Sequence, residues 1–255
     1  MVTKHFVARE DELVNMHETL HREQGRRTMV VHGLGGMGKT QLAIAYMKWH
    51  RNEYPASIRL NARDETSLQQ SFRSAAAKVL EEHPTFTYMQ TALDQNNGDA
   101  SHAVKRWLNE RGNDKWLLIC DIYDHPKRRA DTSGILACRD SGPDQSGCKV
   151  EKSILEDYDI RRYLPDVDQG AVIITTRSSS VRIGDLLPLR KSHKMEDSLR
   201  ILESTSARKG AQYDNDAIAL AVELDGLPLA LSTAGTYLAQ VATSWKQYLQ
   251  NYETE

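Results

Sequence analysis

The chain has 255 residues, a formal net charge of −2 and a pI near 6.5, enough for one large domain or a domain with a smaller companion. This balance gives no basic field for nucleic acid, and no apolar run approaches the ~18 residues needed to cross a bilayer. Three cysteines, Cys120, Cys138 and Cys148, make no disulfide framework, so the expectation is a cytosolic protein with neither nucleic acid nor membrane as partner. Cys120 reads as a buried small hydrophobe, and Cys138 and Cys148 fall in a loop without zinc-ligand spacing.

In chain order, Leu13, Met16 and Leu20 recur at helical spacing and predict a helix over residues 11–23. Arg27–His32 is a short β-branched run, a buried strand. Gly33-Leu34-Gly35-Gly36-Met37-Gly38-Lys39-Thr40 follows and leads into a helix over 41–50. Ala56–Ala62 alternates as a strand, then a helix capped by Asp64 or Thr66 reaches His83, where Pro84 stops it. Residues 91–99 read as a loop and Ser101–Arg111 as a helix. Lys115–Asp121 is an apolar strand closing on an aspartate. A polar stretch from 124 to about 153 reads as an insertion, followed by a short helix over 155–164. Gly170–Arg177 is a further buried strand, and Leu186–Arg190 is the last one. Only helices are predicted beyond it: 195–204, 214–224, 227–240 and 244–252. The change of pattern puts a boundary near residue 190, between a sheet-bearing domain (1–190) and a small helical one (191–255).

The glycine-rich stretch fits G-x-x-x-x-G-K-[ST], with Gly33, Gly38, Lys39 and Thr40 at its fixed positions. A triphosphate must approach main-chain N–H groups closely, so side chains are absent where the loop wraps it, at Gly35 and Gly36 as well. The amides through Met37 and into Gln41 form an anion nest at the positive end of the following helix. Lys39 is a point charge for the β- and γ-phosphates, and the Thr40 hydroxyl is a Mg²⁺ ligand. Asp121, at the carboxyl end of its strand, faces the crevice where ligands sit in such sheets and would hold Mg²⁺ directly or through water. Arg177 ends its own strand in a cation; on position alone, contact with a γ-phosphate and a surface role are equally good readings. The fold class is therefore α/β, a parallel P-loop sheet flanked by helices, with a small all-helical domain after it.

Phe6-Val7-Ala8-Arg9-Glu10, Gly33–Thr40, Leu117–Asp121, Ile173–Arg177 and Gly226-Leu227-Pro228-Leu229-Ala230, in this order, resemble the NB-ARC class of signal-transducing NTPases. That class includes apoptotic protease-activating factors, plant disease-resistance proteins and fungal NOD-like receptors. The resemblance implies that Val7 and Arg9 lie by an adenine, that Arg177 senses the γ-phosphate, and that Pro228 presses on the base. It implies a switch in innate-immune or cell-death signalling, monomeric with ADP and homo-oligomeric with ATP. The family's second acidic residue after the metal-binding aspartate is replaced by Ile122, so hydrolysis should be slow unless Asp124 substitutes. Winged-helix, effector and repeat domains, expected around such a core, have no counterpart in these residues. The alternative is an AAA-like ATPase whose turnover does mechanical work.

Overall fold

Strand side chains that are apolar at successive positions demand cover on both faces of a sheet, and this chain provides it. In the computed structural model, which describes residues 9–22, 27–94, 99–124, 158–191 and 194–253, five strands pair in parallel. They are β1 (Arg27–His32), β2 (Ala56–Asn61), β3 (Trp116–Asp121), β4 (Ala171–Thr176) and β5 (Asp185–Pro188). Their spatial order is β2-β3-β4-β1-β5. The chain leaves β1 for the far edge, works back through β3 to β4, and then crosses to the other side of β1. That reversal opens a crevice at the carboxyl ends of β1, β3 and β4.

The pleat sorts each strand between two cores. Met29, Val31, Leu117, Ile119, Ala171 and Ile173 meet helices α1 (Glu10–Leu20) and α2 (Lys39–Trp49) on one face. Val30, Leu118, Cys120, Val172 and Ile174 meet α3 (Glu65–Glu82), α4 (Thr87–Asp94) and α5 (Ala100–Leu108) on the other. Burial of each such side chain contributes roughly 1.5–3 kcal/mol. Asp64 caps α3 by accepting from the Ser67 amide at 2.7 Å, as its position before the apolar periodicity predicts. A third core, from Leu199, Leu202, Leu220, Leu231, Leu238 and their neighbours, holds together α6 (Met195–Ser206), α7 (Asn215–Glu223), α8 (Pro228–Gln240) and α9 (Trp245–Glu253).

Two readings of the sequence need correction. Residues 91–94, taken as loop, belong to α4. Only Met89 of that helix is fully buried, so its period is faint, and it is held by packing and by Tyr88, which donates to Glu110 at 2.7 Å and lies under the Arg106 guanidinium. Of the helix predicted over 155–164, the described part is a 3₁₀ turn, Ile160–Tyr163, opened by Asp159. Val7, the insertion at 125–153, Cys138 and Cys148 lie outside the described residues. Cys120 is buried as expected, and burial pushes its thiol up to about 12.

Gly170 and Gly112 both adopt a left-handed backbone (φ +73° and +88°), but a β-carbon at Gly170 would run into the Trp116 indole, whereas one at Gly112 meets nothing within 4 Å. Gly112→Ala is expected to cost about 1 kcal/mol and Gly170→Ala about 2–4 kcal/mol, the difference measuring the clash with the buried ring in urea unfolding.

Candidate phosphate-binding site

β1 delivers the loop from its carboxyl end, and the loop's glycines take the conformations a side chain would resist. Gly36 and Gly38 have φ of +77° and +85°, and at Gly33 a β-carbon would overlap the Leu189 carbonyl. Gly38 opens α2 without a side-chain cap, and no acidic residue occupies that helix's first turn. Helices α1 and α6, by contrast, carry acids there. The amides at the start of α2 are thus left for an outside anion, with the helix dipole behind them.

Lys39 lies back along the loop, its ammonium donating to the Gly33 and Leu34 carbonyls at 2.7 Å each. Burial draws its pKa below the ordinary lysine value; Asp124 and Asp121 oppose that shift and Arg177 reinforces it.

Asp121 is 1% exposed and fully engaged. Its Oδ1 accepts from the Thr40 hydroxyl at 2.7 Å and from the Thr175 hydroxyl at 2.6 Å. Its Oδ2 accepts from Arg59 Nη2 at 2.7 Å and Nε at 3.2 Å. Strands β2, β3 and β4 and the first turn of α2 therefore meet at one carboxylate. Thr40 and Asp121, a neutral and an anionic oxygen in contact, fit the hard-donor preference of Mg²⁺. Bound there, the ion would supply charge neutralisation to phosphate oxygens. Arg59 supplies a positive charge to the same carboxylate now. An arginine inside an alternating strand gives no sequence sign of that partner, and Arg59 was not anticipated.

Arg177 stands beside the loop, its guanidinium carbon 3.7 Å from where a Gly35 β-carbon would lie. Asp124 binds it twice, accepting from the Arg177 amide at 2.6 Å and pairing with Nε at 3.2 Å. Ile122 has φ +66°, a strained setting for a β-branched residue, and its amide donates to the Thr175 hydroxyl at 2.9 Å. The turn after β3 thereby brings Asp124, three residues beyond Asp121, into the cleft.

These groups line a cleft of about 550 Å³. Of the residues singled out from sequence, Arg9, Gly35, Gly36, Met37, Gly38, Lys39, Thr40, Gln41, Arg177 and Pro228 face it. Gly33 shapes the loop's base, and Asp121 lies behind Thr40 and Thr175. The Arg9 guanidinium is occupied by the protein: it pairs with Glu12 at 2.8 Å and donates to the Met37 and Arg190 carbonyls. It ties α1 to the loop and to the segment after β5. The far wall is helical. Asp197, Ile201 and Thr205 of α6, and Pro228, Ser232 and Thr236 of α8, face the cleft with Leu229. Each triplet has a spacing of four, a single helix face whose partner no sequence pattern specifies. The Leu229 amide donates to the Gly36 carbonyl at 3.2 Å and so joins the two walls directly.

Arg59→Met should leave the buried Asp121 charge short of a partner, at a cost of about 1–3 kcal/mol in chelator-treated protein. Part of that loss should be recovered by millimolar Mg²⁺, read from urea unfolding curves with and without the ion.

No family model matches the chain. Over an alignment of 258 positions that covers 98% of the chain, it is 25% identical to a nucleotide-binding leucine-rich repeat (NLR)-like protein of Hyaloscypha variabilis, and it spans 24% of that relative. In structure it is similar to a Walker-type ATPase of Pyrococcus abyssi, with a TM-score of 0.56 and 13% identity over 96% of this chain and 71% of that one. With the parallel sheet, its strand order and the glycine loop at the end of β1, that likeness shows an α/β P-loop NTPase fold.

Proposed function

We propose that the chain is the nucleotide-binding core of an NB-ARC-type switch, in which an adenine nucleotide with Mg²⁺ sits between the loop edge of the sheet and the helical lobe. The observation that carries this reading is the cleft itself: uncapped amides, Lys39 and the Thr40–Asp121 pair on one wall, and Pro228 and Leu229 on the other. The likeness to an NLR-like protein supports it. In this reading residues 1–190 and 191–255 act as two lobes that the nucleotide holds together, and the rest of a longer receptor acts on them. Val7 and Arg9 flank the base, Arg9 through the position it gives to α1. The protein works in the cytosol, in innate-immune or cell-death signalling, monomeric with ADP and assembling with ATP.

Discrimination between the two nucleotides rests on the ion pair between Asp124 and Arg177. A γ-phosphate at the loop competes with Asp124 for the guanidinium, because a phosphate accepts two parallel N–H bonds at least as well as a carboxylate. ADP leaves the pair intact. Each nucleotide thus favours a different arrangement of the turn after β3, and that difference is the free energy a switch needs. Hydrolysis is slow in this reading, since Ile122 carries no group that orients water and Asp124 is engaged with Arg177. A second reading, an AAA-like ATPase, draws on one observation, the Asp124 carboxylate lining the cleft.

Three measurements decide between these readings. Lys39→Ala should lower ADP affinity roughly ten- to hundredfold and abolish the thermal shift that ADP gives; an unchanged shift refutes the role of the lysine. Arg177→Ala should leave ADP affinity within about twofold and weaken ATP about tenfold by calorimetry, and equal losses for both would remove the sensor assignment. Phosphate release should stay well below about 1 per second; faster turnover supports the ATPase reading.

A further inference from the structure

The opposite ends of α1 and α2, away from the loop, carry a second constellation with no part in phosphate binding. His17 and His21 lie one turn apart on α1, so both project from one face. His50 caps the C-terminus of α2, and the chain turns there, Glu53 and Tyr54 both donating their amides to the His50 carbonyl. The three imidazoles surround one carboxylate. Glu53 Oε1 lies 2.8 Å from His50 Nδ1, and Oε2 lies 2.5 Å from His21 Nε2 and 3.9 Å from His17 Nδ1. The His17 and His50 rings stack with centroids 4.4 Å apart.

Two details separate this cluster from an ordinary surface ion pair. Among the described residues, the buried His17 Nδ1 has no hydrogen-bond partner and lies beside a carboxylate. His21 Nδ1 lies 2.9 Å from the His17 carbonyl, which can only accept. That nitrogen donates to the carbonyl, and Nε2 on the other side of the ring donates to the Glu53 carboxylate. The His21 ring is thereby fixed in orientation and holds the Glu53 carboxylate in place.

We propose that His17, His50 and Glu53 form a binding site for a divalent transition-metal ion of the Zn²⁺ class. One ligand atom from each of the three lies within 4.8 Å of the others. A tetrahedral Zn²⁺ site with bonds of about 2.0–2.1 Å needs ligand atoms about 3.3 Å apart, an inward adjustment that side-chain rotation supplies. Two imidazoles and one carboxylate suit Zn²⁺, Co²⁺ or Ni²⁺ and not the oxygen-loving Mg²⁺ or Ca²⁺. His21 binds Glu53 and positions it. The site is distinct from the nucleotide's magnesium: the 11 residues of α2 put about 15 Å between His50 and the loop. An ion here staples together the two helices whose far ends carry Arg9 and Lys39.

The test uses the tag-free 255-residue chain stripped with a chelator and titrated with Zn²⁺, and in parallel with Co²⁺, whose visible bands report tetrahedral geometry. One equivalent of Zn²⁺ should bind, with X-ray absorption showing a nitrogen and oxygen shell at about 2.0–2.1 Å and no sulfur near 2.3 Å. His17→Gln and His50→Gln should each weaken binding at least tenfold and abolish the Zn²⁺-induced rise in melting temperature, while His83→Gln and His102→Gln leave both unchanged. Far-UV circular dichroism of the metal-free variants checks that they fold. His21→Ala should weaken binding about tenfold without changing the shell of the bound ion. Absence of binding by the wild type, a sulfur-containing shell, or full affinity in His17→Gln and His50→Gln would each overturn the assignment.

Discussion

A buried carboxylate in a sheet is stable only when every lone pair finds a donor, and Asp121 meets that condition by drawing donors from three other elements. Thr40 comes from the first turn of α2, Thr175 from β4 and Arg59 from β2, while the aspartate itself ends β3. Loss of any donor leaves charge unsatisfied where water hardly reaches. The node therefore fixes the register of the strand ends and the seat of α2 together. The loop between β1 and α2 inherits its shape from that seat. The oxygens of Thr40 and Asp121 that join these elements are also those a divalent ion would take.

The helical lobe contributes a wall rather than chemistry. Pro228 starts α8 where its missing N–H costs nothing, and the next residue gives its amide to the Gly36 carbonyl. That single bond reaches the loop at Gly36, where the lack of a β-carbon makes room for Leu229. A ligand that alters the loop therefore acts directly on the start of α8. Arg9 makes the corresponding link at the other side, from α1 to the Met37 carbonyl. The loop is held from both directions by protein groups that do not belong to its own strand–helix unit.

Helices α1 and α2 have a division of labour along their length. Their beginnings converge on the loop, through Arg9 and Lys39, and their ends converge on Glu53 with three histidines. A side-chain cluster that fixes one end of such a pair limits tilt at the other, because close-packed helices move as rigid bodies. Leu13, Met16 and Leu20 of α1 and Leu42, Ala43 and Tyr46 of α2 share the core between those ends.

Much of the fold is written in local pattern. The extent of β1, the glycine loop, the Asp64 cap, the apolar runs of β3 and β4 and the helices after residue 194 follow from residue periods, caps and breakers. The phosphate motif and Asp121 were legible for the same reason: their chemistry requires fixed residue types at fixed spacing. α4 was not, because one buried methionine makes no period and its stability comes from Tyr88 and its partners in α5 and beyond. Nor could the sequence show Arg59 on Asp121, Asp124 on Arg177, the faces of α6 and α8 that line the cleft, or His17 and His50 stacking across 33 positions. Those juxtapositions depend on strand order and helix docking, which are set by the sum of many weak nonlocal contacts and leave no mark at any one residue. Sequence alone determined which groups could bind phosphate; tertiary structure decided which partners hold them, since hydrogen bonds and ion pairs depend on distance in space and not along the chain.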